Sequence, residues 1–548
     1  MIESVAGEAS EVHVRAGDWL FRQGEAANSL FIIATGRMEV VDEGPPEAVI
    51  RVLRRGDVIG ELALLREDTR SASVRARRNS ELLELGRGGF EALIGGAPGF
   101  AVGLARAMGA QLAASRTPMA TAVPPRIIAV VGLDAAAHAA EAAEELVAAL
   151  RTHGSVARLD GGDLGTVDQA ERDGERVLLW GGATPGEEWT ELCVREADLV
   201  VAVTSGQPDR GWLAHAVPLR GCELLVMGAA IGDDVLAALA PREVQVLADA
   251  DQRDATFAAT ARRLAGRSLG VVLSGGGARA FAHLGVLEEL RAGGIQFDRL
   301  GGVSLGALVA ASTALGLEPD AIYEVFERNF VATNPTSDYA IPAYSLIRGG
   351  KTRRLMEEAF GFRRIEELPR RLFCLSCDLI AREAVIHRTG PVVDAVYPSL
   401  AIPGVFPPVA TVDGRLLVDG GVLDNLPVAT MARAGEGPVI AVDVTGRIGQ
   451  FKRPQRPRLA QLGRGVRRAL TGNEAEIPRL GETMLRTLTV GSIDTVVAAR
   501  RHADLVITPR VDGIGMMQWG ELARVRELGR AAAREALAAP ALRERVGI

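Results

Sequence analysis

From Glu11 to about Gln111, apolar positions alternate with polar ones over short stretches, as in Ser29-Leu-Phe-Ile-Ile and Met38-Glu-Val-Val. Gly17, Gly24, Gly36 and Gly56 punctuate the pattern. A period of two broken by turn residues predicts a small antiparallel barrel or sandwich. Helical segments over Phe90–Ile94 and Phe100–Leu112 close it, and the polar, proline-containing ASRTPMATAVPPR reads as a linker. Between Arg126 and Arg267 the period changes repeatedly: RIIAVVG, RVLLWGG, DLVVAVT and CELLVMG read as strands, while AAEAAEELVAALRTHG, WTELCVREA and TFAATARRLAG read as helices. Such alternation predicts a three-layer α/β unit on a parallel sheet. It carries neither a Walker A motif nor GxGxxG, so the sequence gives it no chemistry beyond a spacer or docking module. A second α/β series starts at Ser268 with LGVVLSGGG, continues through DRLGGVSLG, LFCLSCDLI, RLLVDGG and PVIAVDV, and closes with the helical ELARVRELGRAAAREAL. The expected fold class is therefore multidomain α/β: a β-barrel over 1–117, a Rossmann-like α/β domain over 118–266, and an α/β/α domain over 267–548.

Composition narrows the choice of partners. A chain of 548 residues is too long for one core. Its net charge of −7 argues against a nucleic-acid binder, which needs clustered positive charge. Four cysteines, Cys193, Cys222, Cys374 and Cys377, are too few for a disulfide framework and point to a reducing compartment. The CxxC at Cys374 and Cys377 lies in a strand-like apolar run, where a buried strand is the better reading than a redox site. The start of the chain lacks a basic segment followed by an apolar one, so no signal peptide is expected. The longest uncharged run, Leu300 to Leu317, contains four glycines and fits a strand, turn and buried helix better than a membrane span. A cytoplasmic, soluble or peripheral protein follows.

Chemistry concentrates in the carboxy-terminal half. GVSLG, Gly302 to Gly306, stands between an apolar strand and the small-residue helix ALVAASTAL, the setting in which a serine is held on a sharp elbow. Ser304 is the candidate nucleophile. Upstream, Gly275, Gly276, Gly277, Ala278 and Arg279 offer consecutive backbone N–H groups at a helix start, a nest suited to an oxyanion. Downstream, RLLVDGG ends a strand at Asp419, whose carboxylate is the candidate base for Ser304. His502 is the only later histidine. His283 and His387 read as structural rather than as a third catalytic group. Asp424 and Asn425 are expected to hold the loop after Asp419, and Asp378 to shape the pocket.

The amino-terminal pattern holds a second candidate site in IGELALLREDTRSASV. A short helix starting at Leu62 would present free N–H groups to a phosphate. Arg70, nine residues after Glu61, would return as a bidentate partner for the same anion, with Glu61 accepting from a sugar hydroxyl.

This stretch resembles the phosphate-binding cassette of cyclic nucleotide-binding domains. The resemblance implies that Glu61 binds a ribose hydroxyl and Arg70 the cyclic phosphate, with Gly60, Leu62 and Ala63 supplying backbone. Thr69 stands where many members have proline and Ser71 where many have alanine; Ser71 would touch phosphate or purine, leaving cAMP or cGMP open. The ordered set GGGARxxxHLGVL, GxSxG and DGG is similar to the patatin-like phospholipases, which use a Ser–Asp dyad. The barrel ahead of it, with the intervening RVLLWGGATPGEEWTELCVREADLVVAV, resembles the neuropathy target esterase family. That implies a serine esterase acting on lysophospholipid or phospholipid acyl esters, needing no metal or other cofactor for catalysis and responding to cyclic nucleotide. FKRPQRPRLAQLGRGVRRAL, Phe451 to Leu470, holds seven Lys/Arg and no acid, a candidate contact for anionic lipid heads at a membrane surface. Two other readings use the same residues: a nucleotide-responsive scaffold with an inactive hydrolase domain, and a lipid acyltransferase. A homo-oligomer is compatible with the sequence.

Overall fold

The protein is described from a computed structural model that covers residues 9–90, 124–445 and 491–539, apart from 16–17, 43–47, 54–55, 62–68, 175, 215–218, 229–230, 248–252, 342–343 and 433–434. The expected helices beyond Phe90, the linker, Leu62, Ala63 and the basic stretch 451–470 lie outside the described residues. The chain forms two compact units, residues 1–244 and 245–548.

The first unit opens with the expected antiparallel β-structure: β1 (Ser10–Val14), β2 (Trp19–Phe21), β3 (Ser29–Asp42), β4 (Ala48–Leu53), β5 (Val58–Ile59) and β6 (Ser73–Gly86). The order is β1-β6-β3-β4, with β2 on β6 and β5 on β3. Alternation puts Phe31, Ile33 and Leu82 inside with Phe21 and Met38. A parallel sheet follows, built from β7 (Ile127–Gly132), β8 (Val156–Leu159), β9 (Arg176–Trp180), β10 (Leu199–Thr204), β11 (Glu223–Val226) and β12 (Glu243–Val246), in the order β12-β11-β10-β7-β9-β8. The uninterrupted apolar runs of β7 and β10 are buried throughout, as strands covered on both faces must be. Arg37 of the barrel reaches this second sheet's surroundings, with Nη2 3.0 Å from Glu171 Oε1 and Nε 3.2 Å from Asp198 Oδ1. Asp198 Oδ2 in turn accepts from the amides of Arg126 and Ile127 at 2.9 and 3.1 Å, so the clamp sits where β7 begins.

The second unit is a mixed eight-stranded sheet. Its strands are β13 (Gly270–Leu273), β14 (Arg299–Val303), β15 (Arg371–Asp378), β16 (Glu383–His387), β17 (Val409–Ala410), β18 (Leu416–Asp419), β19 (Val439–Val442) and β20 (Leu505–Ile507), in the order β17-β18-β15-β14-β13-β19-β20, with β16 on β15. The pairs among β15, β14, β13, β19 and β20 are parallel, while β16 and β18 run antiparallel to β15. The helices Ala282–Ala292, Leu305–Ala314, Val392–Leu400 and Leu522–Leu537 cover the sheet through a core that includes Phe281, Leu308, Val396 and Val525. The helix Arg253–Leu264 also belongs to this unit, where Arg262 forks onto both oxygens of Asp298 at 2.8 and 2.6 Å. Cys374 and Cys377 are free thiols buried in β15. Burial pushes the Cys374 thiol up to about 12. Among the described residues no helix is long and apolar enough to cross a membrane.

Candidate active site

The register of β15 brings the two candidate catalytic residues together. Cys374 pairs with Gly302 of β14 and also with His387 of β16, so β14 and β16 lie on opposite edges of β15. Cys377 pairs with Val418 of β18 and with Ala384 of β16, which puts β18 on the same edge as β14. On that edge β14 ends at Val303, opposite Leu375, and β18 arrives from the other direction to end at Asp419, opposite Ser376. The two strands meet head to head. Ser304 and Asp419 therefore stand at adjoining register positions, near enough that the Ser304 hydroxyl lowers the pKa of the Asp419 carboxyl.

Ser304 is held in an uncommon conformation, φ 56° and ψ −134°, between β14 and the helix Leu305–Ala314. A non-glycine residue there is strained, and the strain turns its hydroxyl out of the strand direction. The flanking glycines make the turn sterically feasible. A Cβ at Gly302 would lie 2.6 Å from the Gly306 carbonyl, and one at Gly306 would lie 2.5 Å from the carbonyl oxygens of Leu273 and Ser274. The Ser304 amide donates to Ser399 Oγ at 2.9 Å, and Ser399 Oγ donates to the Leu375 carbonyl at 2.7 Å.

Asp419 is buried, and burial raises its carboxyl from 3.8 to about 6, opposed by the neighbouring Ser304 hydroxyl and by the Gly421 amide. The Gly421 N–H sits 2.8 Å from Oδ1. The Asp419 amide is fixed on the Ala401 carbonyl at 2.9 Å. A carboxylate with an apparent pKa near 6 is ionised at neutral pH and still basic enough to share a proton with an alcohol.

The glycine loop lies against Ser304: a Cβ on Gly275 would come within 3.0 Å of Ser304 Cβ. Not all five loop amides are open. Gly275 N–H faces the Asn425 carbonyl at 3.3 Å, Ala278 N–H donates to Met516 O at 2.8 Å, and Arg279 N–H points to Gly276 O at 3.3 Å. Gly276 and Gly277 keep N–H groups with no acceptor among the described residues. The expected oxyanion set of five thus narrows to two open donors. Arg279 is occupied elsewhere, with its guanidinium on the carbonyls of Ile514 and Thr445 at 2.7 and 3.3 Å. Gly277 has φ 55°, and a Cβ there would meet the Met516 carbonyl oxygen at 2.2 Å. Asn425 holds the loop from below, its Nδ2 donating to Gly275 O at 3.3 Å.

Neither histidine joins the pair. His283 Nε2 lies 2.8 Å from the Ser274 carbonyl, and burial lowers the ring to about 4. His387 Nε2 lies 2.7 Å from Ser376 Oγ, and burial likewise lowers it to about 4, so both rings are neutral at pH 7. His502 bonds the Ala498 carbonyl within its own helix. Asp424 Oδ1 accepts from the Leu426 amide at 3.1 Å, and Asp378 Oδ1 accepts from Ile380 at 2.9 Å. Ser399 had no signal in the sequence, because its partner lies 95 residues away.

In the barrel, Gly60, Glu61 and Arg70 come together. Gly60 adopts φ 82°, and a Cβ there would lie 2.1 Å from Arg70 Nη1. The Arg70 guanidinium stacks 4.1 Å from the Phe21 ring centroid and 5.6 Å from that of Phe31. Its Nε is buried without a partner, and desolvation lowers its pKa against the raising effect of Glu25, Glu84 and Glu61. A buried guanidinium with an unmatched N–H fits an anionic ligand. Glu61 is buried beside it and Ser71 is exposed.

Comparisons with known proteins agree with this layout. Residues 271–432 match the patatin-like phospholipase family, and residues 11–96 match the cyclic nucleotide-binding domain. An uncharacterized NTE family protein of Mycobacterium tuberculosis is 34% identical over 98% of this chain and 94% of its own length. Lysophospholipase NTE1 of Coccidioides immitis is 25% identical over 94% of this chain, which spans 40% of that relative's length. The cAMP-bound regulatory domain of Toxoplasma gondii PKA is 33% identical over 17% of this chain and 35% of its own, at a TM-score of 0.16.

Proposed function

Because the chain belongs to the NTE family and carries a patatin-like phospholipase domain behind a cyclic nucleotide-binding domain, we propose that it is a Ser–Asp dyad esterase that hydrolyses lysophospholipid or phospholipid acyl esters. The observation that carries this reading is the register that brings a strained, elbow-held Ser304 beside the buried carboxyl of Asp419, whose pKa the Ser304 hydroxyl lowers against burial. Asp419 takes the Ser304 proton as Oγ bonds to the ester carbonyl carbon, and the carbonyl electrons move onto oxygen. The Gly276 and Gly277 N–H groups receive that oxyanion; one such donor is worth about 3 kcal/mol of transition-state stabilisation. The positive end of the helix Leu305–Ala314 lies at Ser304 and favours the same charge. Collapse of the intermediate breaks the bond to the alcohol, which leaves with the proton from Asp419. Water, deprotonated by Asp419, then attacks the acyl-enzyme and releases the fatty acid.

The barrel is read as the regulatory part. Arg70 would hold a cyclic phosphate and Glu61 a ribose hydroxyl, with cAMP or cGMP as ligand. The working division is a barrel over 1–117, a Rossmann-like domain over 118–266 and the hydrolase over 267–548, in a cytoplasmic protein that meets its substrate at a membrane surface. The test is hydrolysis of lysophosphatidylcholine and of a short-chain p-nitrophenyl ester, with and without cyclic nucleotide. Wild type is expected to release fatty acid, while Ser304→Ala and Asp419→Asn are expected to lose nearly all activity. Retention of the wild-type rate by Ser304→Ala would end the nucleophile assignment.

A further inference from the structure

We propose that a set of exposed apolar side chains, Tyr339, Ile341, Tyr344, Leu379, Ile380 and Val412, on segments tied to the strand and loop that hold Asp419, is a docking surface for a lipid bilayer, and this rests on the esterase reading above. These six are half of the twelve large apolar residues exposed on the second unit among the described residues. Ile341 and Tyr344 are 90% and 87% exposed, Ile380 66%, and Val412 fully exposed. Isolated exposed apolar residues are ordinary, whereas a set grouped on neighbouring segments marks an interaction surface.

Three segments carry the set, and each is anchored beside Asp419. The hairpin after β15 continues the strand that aligns the dyad. Ser376 is level with Asp419, and Leu379 and Ile380 lie three and four residues further out. At about 3.3 Å per residue that is roughly 10–13 Å beyond the reacting atoms. Leu379 N–H is bonded to Leu416 O at 2.9 Å, so this hairpin neighbours the turn between β17 and β18 that presents Val412. The third segment carries Tyr339, which bridges Ile347, and Ile341 and Tyr344. It is fixed where Leu346 and Ile347 donate to the carbonyls of Gly404 and Val405 at 2.9 and 3.0 Å. Ile347 packs there with Ala401, whose carbonyl holds the Asp419 amide.

The occupant follows from chemistry and charge. Exposed tyrosine and isoleucine suit insertion into the boundary between headgroups and acyl chains, where amphipathic rings are favoured. Arg348 and Arg382 are exposed on the same segments and have no carboxylate partner among the described residues, in a chain of net charge −7. Their guanidinium groups complement lipid phosphates. A bilayer docked on this face would bring ester carbonyls to the side of the sheet on which Ser304 and Asp419 lie.

The test compares the full chain with the triple variant Ile341→Asp/Tyr344→Asp/Ile380→Asp, both carrying Ser304→Ala, by flotation with vesicles of diether phosphatidylcholine, with and without phosphatidylserine. Loss of three partly inserted side chains is expected to weaken vesicle binding at least about tenfold. In the catalytically intact background the triple variant is expected to hydrolyse a monomeric short-chain ester at the wild-type rate but vesicle-borne lysophospholipid far more slowly. Equal flotation of the two proteins, or no flotation of the parent, overturns the proposal. So does sedimentation showing that the parent is a dimer that the triple variant converts to monomer. Because flotation uses uncleavable lipid, it tests docking separately; a parent that floats yet cleaves no ester would instead remove the esterase reading.

Discussion

The backbone N–H of Ser304 is pinned to the hydroxyl of Ser399, a residue on the helix Val392–Leu400 that is fully buried. Ser399 Oγ in turn donates to Leu375 O, so one hydroxyl fixes both the backbone of Ser304 and the strand beside it. Ser399→Ala would leave an N–H and a carbonyl unpaired in the core, at about 1–3 kcal/mol for each such group. The expected outcome is a lower melting temperature together with a fall in kcat larger than any rise in KM. A thermal melt alongside steady-state kinetics on a short-chain ester checks it.

Asp419 gives the pH dependence a sign. The base must be ionised, so kcat/KM is expected to rise with pH through about 6, where burial has placed this carboxyl. A profile flat from pH 5 to pH 8 would contradict Asp419 as the base.

Stability should run the opposite way. The folded carboxyl titrates near 6 against an ordinary 3.8, so the folded state binds the extra proton between these values. Its contribution is complete below about pH 4 and is lost as pH rises through 6, a change of about 3 kcal/mol. Asp419→Asn is expected to abolish that slope, and to melt above wild type at pH 8 while being inactive. Melting curves of the two proteins across this range decide the matter.

Gly306 is a position where a single methyl group should be felt. A Cβ there meets two backbone oxygens at 2.5 Å, whereas one at Gly520 meets nothing within 4 Å. Gly306→Ala is expected to cost about 1–3 kcal/mol through overpacking and to misplace Ser304. Gly520→Ala should leave both melting temperature and ester hydrolysis near wild type.

In the barrel, Arg70→Ala is expected to remove the heat of cAMP or cGMP binding, since a charge-assisted contact is worth about 1.5–3 kcal/mol, or more than tenfold in affinity. Gly60→Ala should act similarly, because its methyl group would fall on Arg70 Nη1 and φ 82° disfavours any side chain. Calorimetry on the three proteins separates the outcomes; equal heats would place the ligand elsewhere.

Much of this site was legible in the sequence because its parts are local. The elbow at Ser304 and the turn after Asp419 are written in glycines adjacent to the residues they position, and the alternating barrel pattern needs only a window of several residues. The partner of each part was not legible. Ser399 reaches Ser304 across 95 residues and Asn425 reaches Gly275 across 150, contacts decided by helix docking rather than by spacing. Nor does a linear pattern tell that β14 and β18 approach one edge of β15 from opposite ends, the arrangement on which the dyad depends. The five-residue nest expected from GGGAR keeps only two open amides, because Asn425 O, Met516 O and Gly276 O accept the others.

Arg37 carries a practical message for anyone wishing to excise the cyclic nucleotide-binding domain. A fragment stopped at residue 117 would strip a 7%-exposed guanidinium of both Glu171 and Asp198, stranding it at a freshly cut surface. A piece running through residue 244 keeps those counter-charges in place. Binding measured on the shorter fragment would therefore describe a barrel without its native contacts to Glu171 and Asp198.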